Sequence, residues 1–283
     1  MSVRIGFGVL MGAALIALLW FDHGFEPEGL PLTGVILLLV LAAFVELLSM
    51  LKTKGVEMLW TSGIVGCAVV ATCPFWWKYL EFGSSPDGLQ VLLLASLILM
   101  MIFVDQMFQQ APEMALLRIA GTALAVLYLG VGCALVLIIR MNYKVPMFVV
   151  FLAAVKFTDI GAYFVGSLAG RHKLVPKLSA GKSWEGLFGG LAFGAVAGVA
   201  AMLVMNQLTP HDAPDLLIWQ AALFGGIVGL AGQFGDLSES LLKRSAHVKD
   251  SGAVVPEFGG VLDIIDSLVF AAPIGIVVLS LME

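Results

Sequence analysis

The sequence predicts an all-α polytopic integral membrane protein, a helical bundle of about nine transmembrane helices with a cytoplasmic N-terminus. Three observations predict it. Of the 283 residues 60% are hydrophobic and only 12% charged, about half the charge of a soluble domain. Apolar runs of about 18 or more residues recur along the whole length, which is what a helix needs to cross a hydrocarbon core about 30 Å thick. Lys and Arg collect in particular short connections, which makes orientation readable. Such a chain needs no soluble core, because helices satisfy their own backbone polar groups.

The expected spans run over about 5–22, 32–51, 57–75, 89–107, 117–139, 146–168, 185–206, 217–237 and 264–282. The first begins with a weakly basic start and a long apolar run, yet no small-x-small cleavage site follows it, so it reads as a span rather than a signal peptide. Mean hydropathy is +1.02. Five spans fall in an N-terminal region, 1–140. Four fall in a C-terminal region, 141–283, which also carries the two long polar connections, 169–184 and 238–263. Arg4, Lys52, Lys54, the group Arg171 to Lys182, and the group Lys243, Arg244 and Lys249 all fall on one face if the N-terminus is cytoplasmic. The acidic stretches DHGFEPEG and TPHDAPD fall on the other, with Lys78, Arg140 and Lys144 as exceptions. Both long polar loops therefore face the cytoplasm, as for a bacterial-type inner membrane protein.

Little else competes. The net charge of −5 is confined to loops, and no nucleic-acid partner is expected. Cys67, Cys73 and Cys133 are scattered without a CxxC, which indicates neither a disulfide framework nor zinc. The four histidines are isolated and form no HExxH.

Chemistry concentrates in four stretches. In GQFGDLSESLLKR, Asp236, Glu239 and Lys243 stand at i, i+3 and i+7, one face of a helix. Ionisable side chains at membrane depth are costly and line polar cavities; a helix end snorkelling into headgroups is the plainer reading. In GGVLDIIDS, Asp263 and Asp266 open the last span just after Gly259 and Gly260. One of these acids could be an ordinary helix cap, while the glycines let backbone approach a ligand. Carboxylates without Cys or His are hard-oxygen donors suited to Mg²⁺, which fills its shell with water and phosphate oxygens. The residues alone thus point to a Mg²⁺–phosphate site at the cytoplasmic mouth of a bundle.

KLVPKLSAGKSWEGLFGG places Lys173, Lys177 and Lys182 in a Ser/Gly loop before a helix that starts at about Ser183 or Trp184. A helix N-terminus with nearby Lys is an anion site. It is not a phosphate-binding P-loop, because Pro176 stands where the first Gly is required. Nonspecific lipid-headgroup binding is the alternative, and Glu185 argues against charge topology alone. KFTDIGAYFVGSLAG puts Asp159 inside span six, where a buried acid needs a partner. Glu46 and Asp105 also approach the cytoplasmic side and receive no role beyond supporting the bundle.

The stretch GDLSESLLKRSAHVKDSGAVVPEFGGVLDIIDS resembles the C-terminal signature of the phosphatidate cytidylyltransferases, or CDP-diacylglycerol synthases. Ser240, Lys243, Arg244, Lys249, Asp250, Gly252, Pro256, Gly259, Gly260, Asp263 and Asp266 fit its pattern. DIGAYFVGSLAGRHKLVPKLSAGKSWEG resembles an upstream region of the same family through Asp159, Ala162, Tyr163, Gly166, Ser179, Lys182, Glu185 and Gly186. The resemblance covers about 156–270. Phe258, Ile264 and Ala180 depart from it, standing where the family has His, Arg and Pro.

The resemblance implies transfer of CMP from CTP to phosphatidic acid, with Mg²⁺ and one or two cations at the site. It implies Asp236 and Asp263 as metal ligands, with Glu239 and Asp266 as second-metal or supporting acids. Lys243, Arg244 and Lys249 would hold phosphate oxygens, with Asp250 beside Lys249 among the catalytic residues. Ser179, Lys182 and Ser183 would hold the triphosphate or the lipid phosphate, Asp159 and Glu185 would orient those cations, and Gly259 and Gly260 would let backbone approach the substrate. Membrane lipids surround such an enzyme, and a homodimer fits the family. The competing readings are a related lipid-phosphate nucleotidyltransferase or polyprenol kinase-like enzyme, a family member without activity, and a secondary transporter. A CDP-alcohol phosphotransferase is disfavoured by the three-residue spacing of Asp263 and Asp266. Transporters show repeats and midplane acids, and neither is visible.

Overall fold

The protein is described by a computed structural model covering residues 2–80, 88–214, 216–252 and 259–282. Its α-helices are α1 Ser2–His23, α2 Leu30–Lys52, α3 Trp60–Tyr79, α4 Gly88–Phe108, α5 Ala115–Ala125, α6 Gly132–Ala169, α7 Trp184–Leu208, α8 Ile218–Ser245 and α9 Leu262–Met282. A single π-helical turn, Val126–Val131, joins α5 to α6. The fold is all-α and membrane-embedded in character, as expected. Among the described residues six helical stretches are long and apolar enough to cross a membrane: α2, α4, the run Pro112–Ala169, α7, α8 and α9.

The 58-residue run would be about 85 Å long if straight, more than two bilayer thicknesses. It is broken instead at Lys144, which has φ 62°. Pro146 follows two residues later; it offers no N–H and clashes with the preceding turn, so the helix cannot continue unbroken. The break falls where the connection between the fifth and sixth expected spans was placed.

Two expectations about loops are corrected. The stretch 169–184 contains an antiparallel hairpin, β1 Lys173–Val175 and β2 Ser179–Ser183, with Lys173 opposite Ser183. The polar connection after span eight starts later than expected, because α8 runs on to Ser245. An i,i+4 pair between Glu239 and Lys243 supports that extension, and it places Asp236, Glu239 and Lys243 on one unbroken helix.

The chain forms two compact units. The first comprises 1–137 and 246–264, the second 138–245 and 265–283. In the first unit α2 is entered through Gly29 at φ 88°, with Pro31 in the first helical turn. Asp22 accepts from the Leu32 amide at 3.0 Å. The second unit is organised by close approach of α6, α7 and α8 over small residues. A Cβ on Gly225 would collide with the Gly194 carbonyl oxygen, and one on Gly198 would stand 2.8 Å from the Ala221 carbonyl oxygen. Thr158 of α6 fills the space beside Gly194 and Gly229. Small residues let membrane helices approach in this way. The obstacle at Gly225 is backbone, which cannot rotate aside, so Gly225→Ala is expected to destabilise the protein by about 1–3 kcal/mol. A thermal melt in detergent checks this, and an unchanged Tm would contradict the packing described.

Candidate active site

The second unit gathers a group of ionisable side chains where α6, the hairpin, α8 and α9 converge. Asp236 and Glu239 lie one turn apart on α8. Gly235 allows α9 to come close, since a Cβ there would stand 2.5 Å from the Asp266 carbonyl oxygen. That approach sets Asp266 beside the two α8 acids. One carboxylate oxygen from each of Asp236, Glu239 and Asp266 lies within 4.8 Å of the others. Glu239 is 0% exposed and Asp266 4%.

Lysines answer these acids. Lys182, at the end of the hairpin, reaches Asp236 Oδ2 at 2.7 Å and donates to the Gln233 carbonyl at 3.0 Å. Lys243 pairs with Glu239 at 2.6 Å. Asp159 of α6 accepts from the Gln233 side-chain amide at 2.8 Å and has Lys156 4.0 Å away. Lys156 in turn donates to Ser267 of α9 at 3.0 Å. The carboxylates of Asp159, Asp236, Glu239 and Asp266 are thus interleaved with the ammonium groups of Lys156, Lys182 and Lys243.

The donor set fits a hard divalent ion. It is all oxygen, partly desolvated, and contains neither thiolate nor imidazole. The outer separation of 4.8 Å is slightly wider than the ~4.2 Å across a Mg²⁺ octahedron. Asp236, Glu239 and Asp266 are the residues that could hold such an ion, which would supply charge neutralisation for phosphate oxygens.

The remaining expected residues are placed as follows. Ser183 is the N-cap of α7, its hydroxyl accepting from the Gly186 amide at 3.1 Å, and it is buried. Ser179 opens β2. Glu185, in the first turn of α7, accepts from the Arg171 and His172 amides and pairs with His172 Nδ1 at 2.6 Å. It thus fixes the chain that leads from α6 into the hairpin. Arg244 is exposed near the Leu178 carbonyl, and Lys249 and Asp250 are exposed in the bend after α8. Pro256 and Phe258 lie outside the described residues. Ile264 sits in the first turn of α9.

Asp263, Gly259 and Gly260 belong to the first unit. Asp263 Oδ2 accepts from the Ser251 hydroxyl at 2.7 Å, the Gly260 amide at 2.7 Å and the Ser251 amide at 3.3 Å. Gly259 turns the chain at φ 92°, a conformation that favours glycine. Asp263 and Asp266 are three residues apart on α9 and so share one side of that helix.

Gln233 escaped the sequence reading, and Glu46 received no role in it beyond supporting the bundle. Gln233 joins Asp159 to Lys182; its only signal was a polar side chain three residues before Asp236. Glu46 is 5% exposed and accepts from the Val261 and Leu262 amides at 2.8 and 2.9 Å. Its signal was its depth within span two. A cavity of about 450 Å³ between Asn142, Lys144, His211 and Leu279 lies at the other ends of α8 and α9 and touches none of the candidate residues. Its Lys144 is paired with Asp212.

An integral membrane protein that assembles carboxylates and lysines at helix ends is equipped to hold a cation with polyanions. The chain belongs to the cytidylyltransferase family, which it matches over residues 2–282. It is similar to the phosphatidate cytidylyltransferase of Bacillus subtilis, 32% identical over 279 residues that make up 96% of this chain and 95% of the relative. The phosphatidate cytidylyltransferase of Staphylococcus epidermidis is 32% identical over 264 residues, 92% of this chain and 94% of its own. The uncharacterised protein YnbB of Escherichia coli is 43% identical over 123 residues, 44% of this chain and 39% of its own length. The likeness thus extends over the N-terminal helices, where the sequence had offered only hydrophobicity.

Proposed function

We propose that the protein transfers CMP from CTP to phosphatidic acid, giving CDP-diacylglycerol and pyrophosphate for phospholipid synthesis. The cluster of Asp236, Glu239 and Asp266 with Lys182 and Lys243 carries this reading, together with full-length relatives that bear the name of that activity. The nucleophile is the phosphate oxygen of the lipid, already an anion, so no protein nucleophile is required. It forms a bond to the α-phosphorus of CTP as the bond to the bridging oxygen breaks and pyrophosphate departs.

The protein's task is to hold two polyanions in line and offset their repulsion. Asp236, Asp263 and Glu239 would hold Mg²⁺, as the resemblance implies, and the clustering of Asp266 with Asp236 and Glu239 supports adding Asp266 to them. Mg²⁺ supplies Lewis-acid neutralisation of phosphate oxygens. Lys182, Lys243, Arg244 and Lys249 bind phosphate oxygens, with Asp250 beside Lys249. Ser179 and Ser183 stand by the triphosphate side, and Asp159 and Glu185 orient the cationic side chains, Asp159 through Gln233. Gly259 and Gly260 keep backbone close to substrate.

The same reading places nine crossings in a bacterial inner membrane, with the N-terminus and the site on the cytoplasmic side. CTP then arrives from the cytosol, and the lipid enters between helices from the surrounding membrane lipids. Residues 1–140 serve as the supporting region and 141–283 as the catalytic region, and the protein works as a homodimer.

Labelled CTP tests the reaction. Purified protein in detergent with phosphatidate and Mg²⁺ is expected to move α-phosphate label into lipid and to leave γ-phosphate label in pyrophosphate. Label entering lipid from the γ position would make the protein a lipid kinase and overturn the proposal. Transfer of α-label to a different lipid phosphate only would reassign the substrate.

A further inference from the structure

We infer that Glu46 is a positioning residue for the reaction, acting from α2 on the loop and helix that carry Asp263. The inference rests on the reading just given, in which Asp263 belongs to the reacting site. Glu46 lies more than two hundred residues before its partners in sequence. Its Oε1 accepts from the Val261 amide and its Oε2 from the Leu262 amide. Those are orphan donors at the N-terminus of α9, where a negative charge is favoured by the helix dipole.

Oε2 also lies 3.0 Å from the Ser251 hydroxyl, which is 2.7 Å from Asp263 Oδ2. One hydroxyl proton therefore serves two carboxylates and ties the orientation of one to the other. The surrounding glycines fit this clasp. A Cβ on Gly252 would stand 2.6 Å from Glu46 Oε1, and one on Gly260 would collide with both Glu46 and Ser251. The backbone of 251–252 and 260–262 is thus moulded around one buried carboxylate. The three donors on Asp263 Oδ2 set how its carboxyl group is turned. Glu46 sets two of them, through Ser251 and through the Gly260 turn.

Glu46→Gln tests this. The amide keeps the size but offers a single acceptor oxygen, and its NH₂ opposes an N–H donor. We expect kcat to fall about 10- to 100-fold, the usual effect of losing a group that orients a ligand carboxylate. The Mg²⁺ concentration for half-maximal rate is expected to rise and the KM for CTP to stay within about threefold. Hydrogen exchange at the Gly260, Val261 and Leu262 amides is expected to quicken, and Glu46→Asp, which keeps the charge, to recover part of the rate. Ser251→Ala is the second arm. It leaves the two amide bonds to Glu46 in place and is expected to lower kcat about tenfold with Tm preserved. Folded Glu46→Gln and Ser251→Ala proteins with wild-type kcat and Mg²⁺ dependence would overturn the inference. So would a lowered Tm with unchanged kcat per folded molecule, which marks a purely structural role. If the wild type forms no CDP-diacylglycerol, the reaction reading is what fails; exchange at 260–262 then decides the clasp, and unchanged exchange in Glu46→Gln sinks it.

Discussion

Asp236→Asn is expected to lower the rate of CDP-diacylglycerol formation by at least about 10³-fold while leaving the protein folded. A bound metal offsets several kcal/mol of developing phosphate charge, and about 4 kcal/mol corresponds to that factor. Asn preserves the shape but removes the charge that draws a cation and answers Lys182. The side chain of Asp236 is 40% exposed, so the substitution leaves no large buried defect. Initial rates at saturating CTP, with a thermal melt of each protein, measure the effect. A folded variant within about tenfold of wild type would remove Asp236 from the chemistry.

Lys182→Gln is expected to lower kcat about 10²-fold and, in the opposite sense, to tighten binding of the divalent ion. The ammonium lies 2.7 Å from Asp236 Oδ2, so it would compete with a cation for that oxygen. On the proposed reading Lys182 would also serve a phosphate oxygen, where its charge would assist the reaction. Removing it abolishes the competition and the assistance together. Calorimetric titration of Mg²⁺ or Mn²⁺ into both proteins, beside their rates, separates the two effects. Weaker ion binding in Lys182→Gln would show that the lysine supports the cluster rather than competing within it.

Much of this architecture was legible in the sequence because a bilayer imposes simple rules. Helices stand at each expected place, and among the described residues six helical stretches are long and apolar enough to cross a membrane. The break in α6 at Lys144 falls in the expected gap between 139 and 146, and α7 starts where expected, at about Ser183 or Trp184. What the pattern could not show was where α8 stops. Its last two turns are held by local pairing, Glu239 with Lys243, rather than by hydropathy, which ends near residue 237. The hairpin at 173–183 was equally hidden, since three- and five-residue strands in a Lys-rich loop carry no alternation long enough to read.

The site was legible as residue types and less so as partnerships. Spacing alone put Asp236, Glu239 and Lys243 on one face of a helix. That Asp266 joins them depends on the contact at Gly235, which belongs to tertiary packing. Lys182 and Glu185 were both expected to serve phosphates, directly or through neighbours. The structure gives Lys182 to Asp236, and Glu185 to the backbone that launches the hairpin. Glu46 could be recognised only as an acid at an unusual depth, because its partners lie at the far end of the chain.

The most direct test of the central claim is a Mg²⁺ titration of CDP-diacylglycerol formation by wild type, Asp236→Asn and Asp266→Asn, matched for folded protein. The account predicts a rate that requires the divalent ion, vanishes with EDTA, and is lost by at least about 10³-fold in Asp236→Asn and strongly reduced in Asp266→Asn. Full activity of both variants, or no product from folded wild type supplied with phosphatidate and CTP, would contradict it.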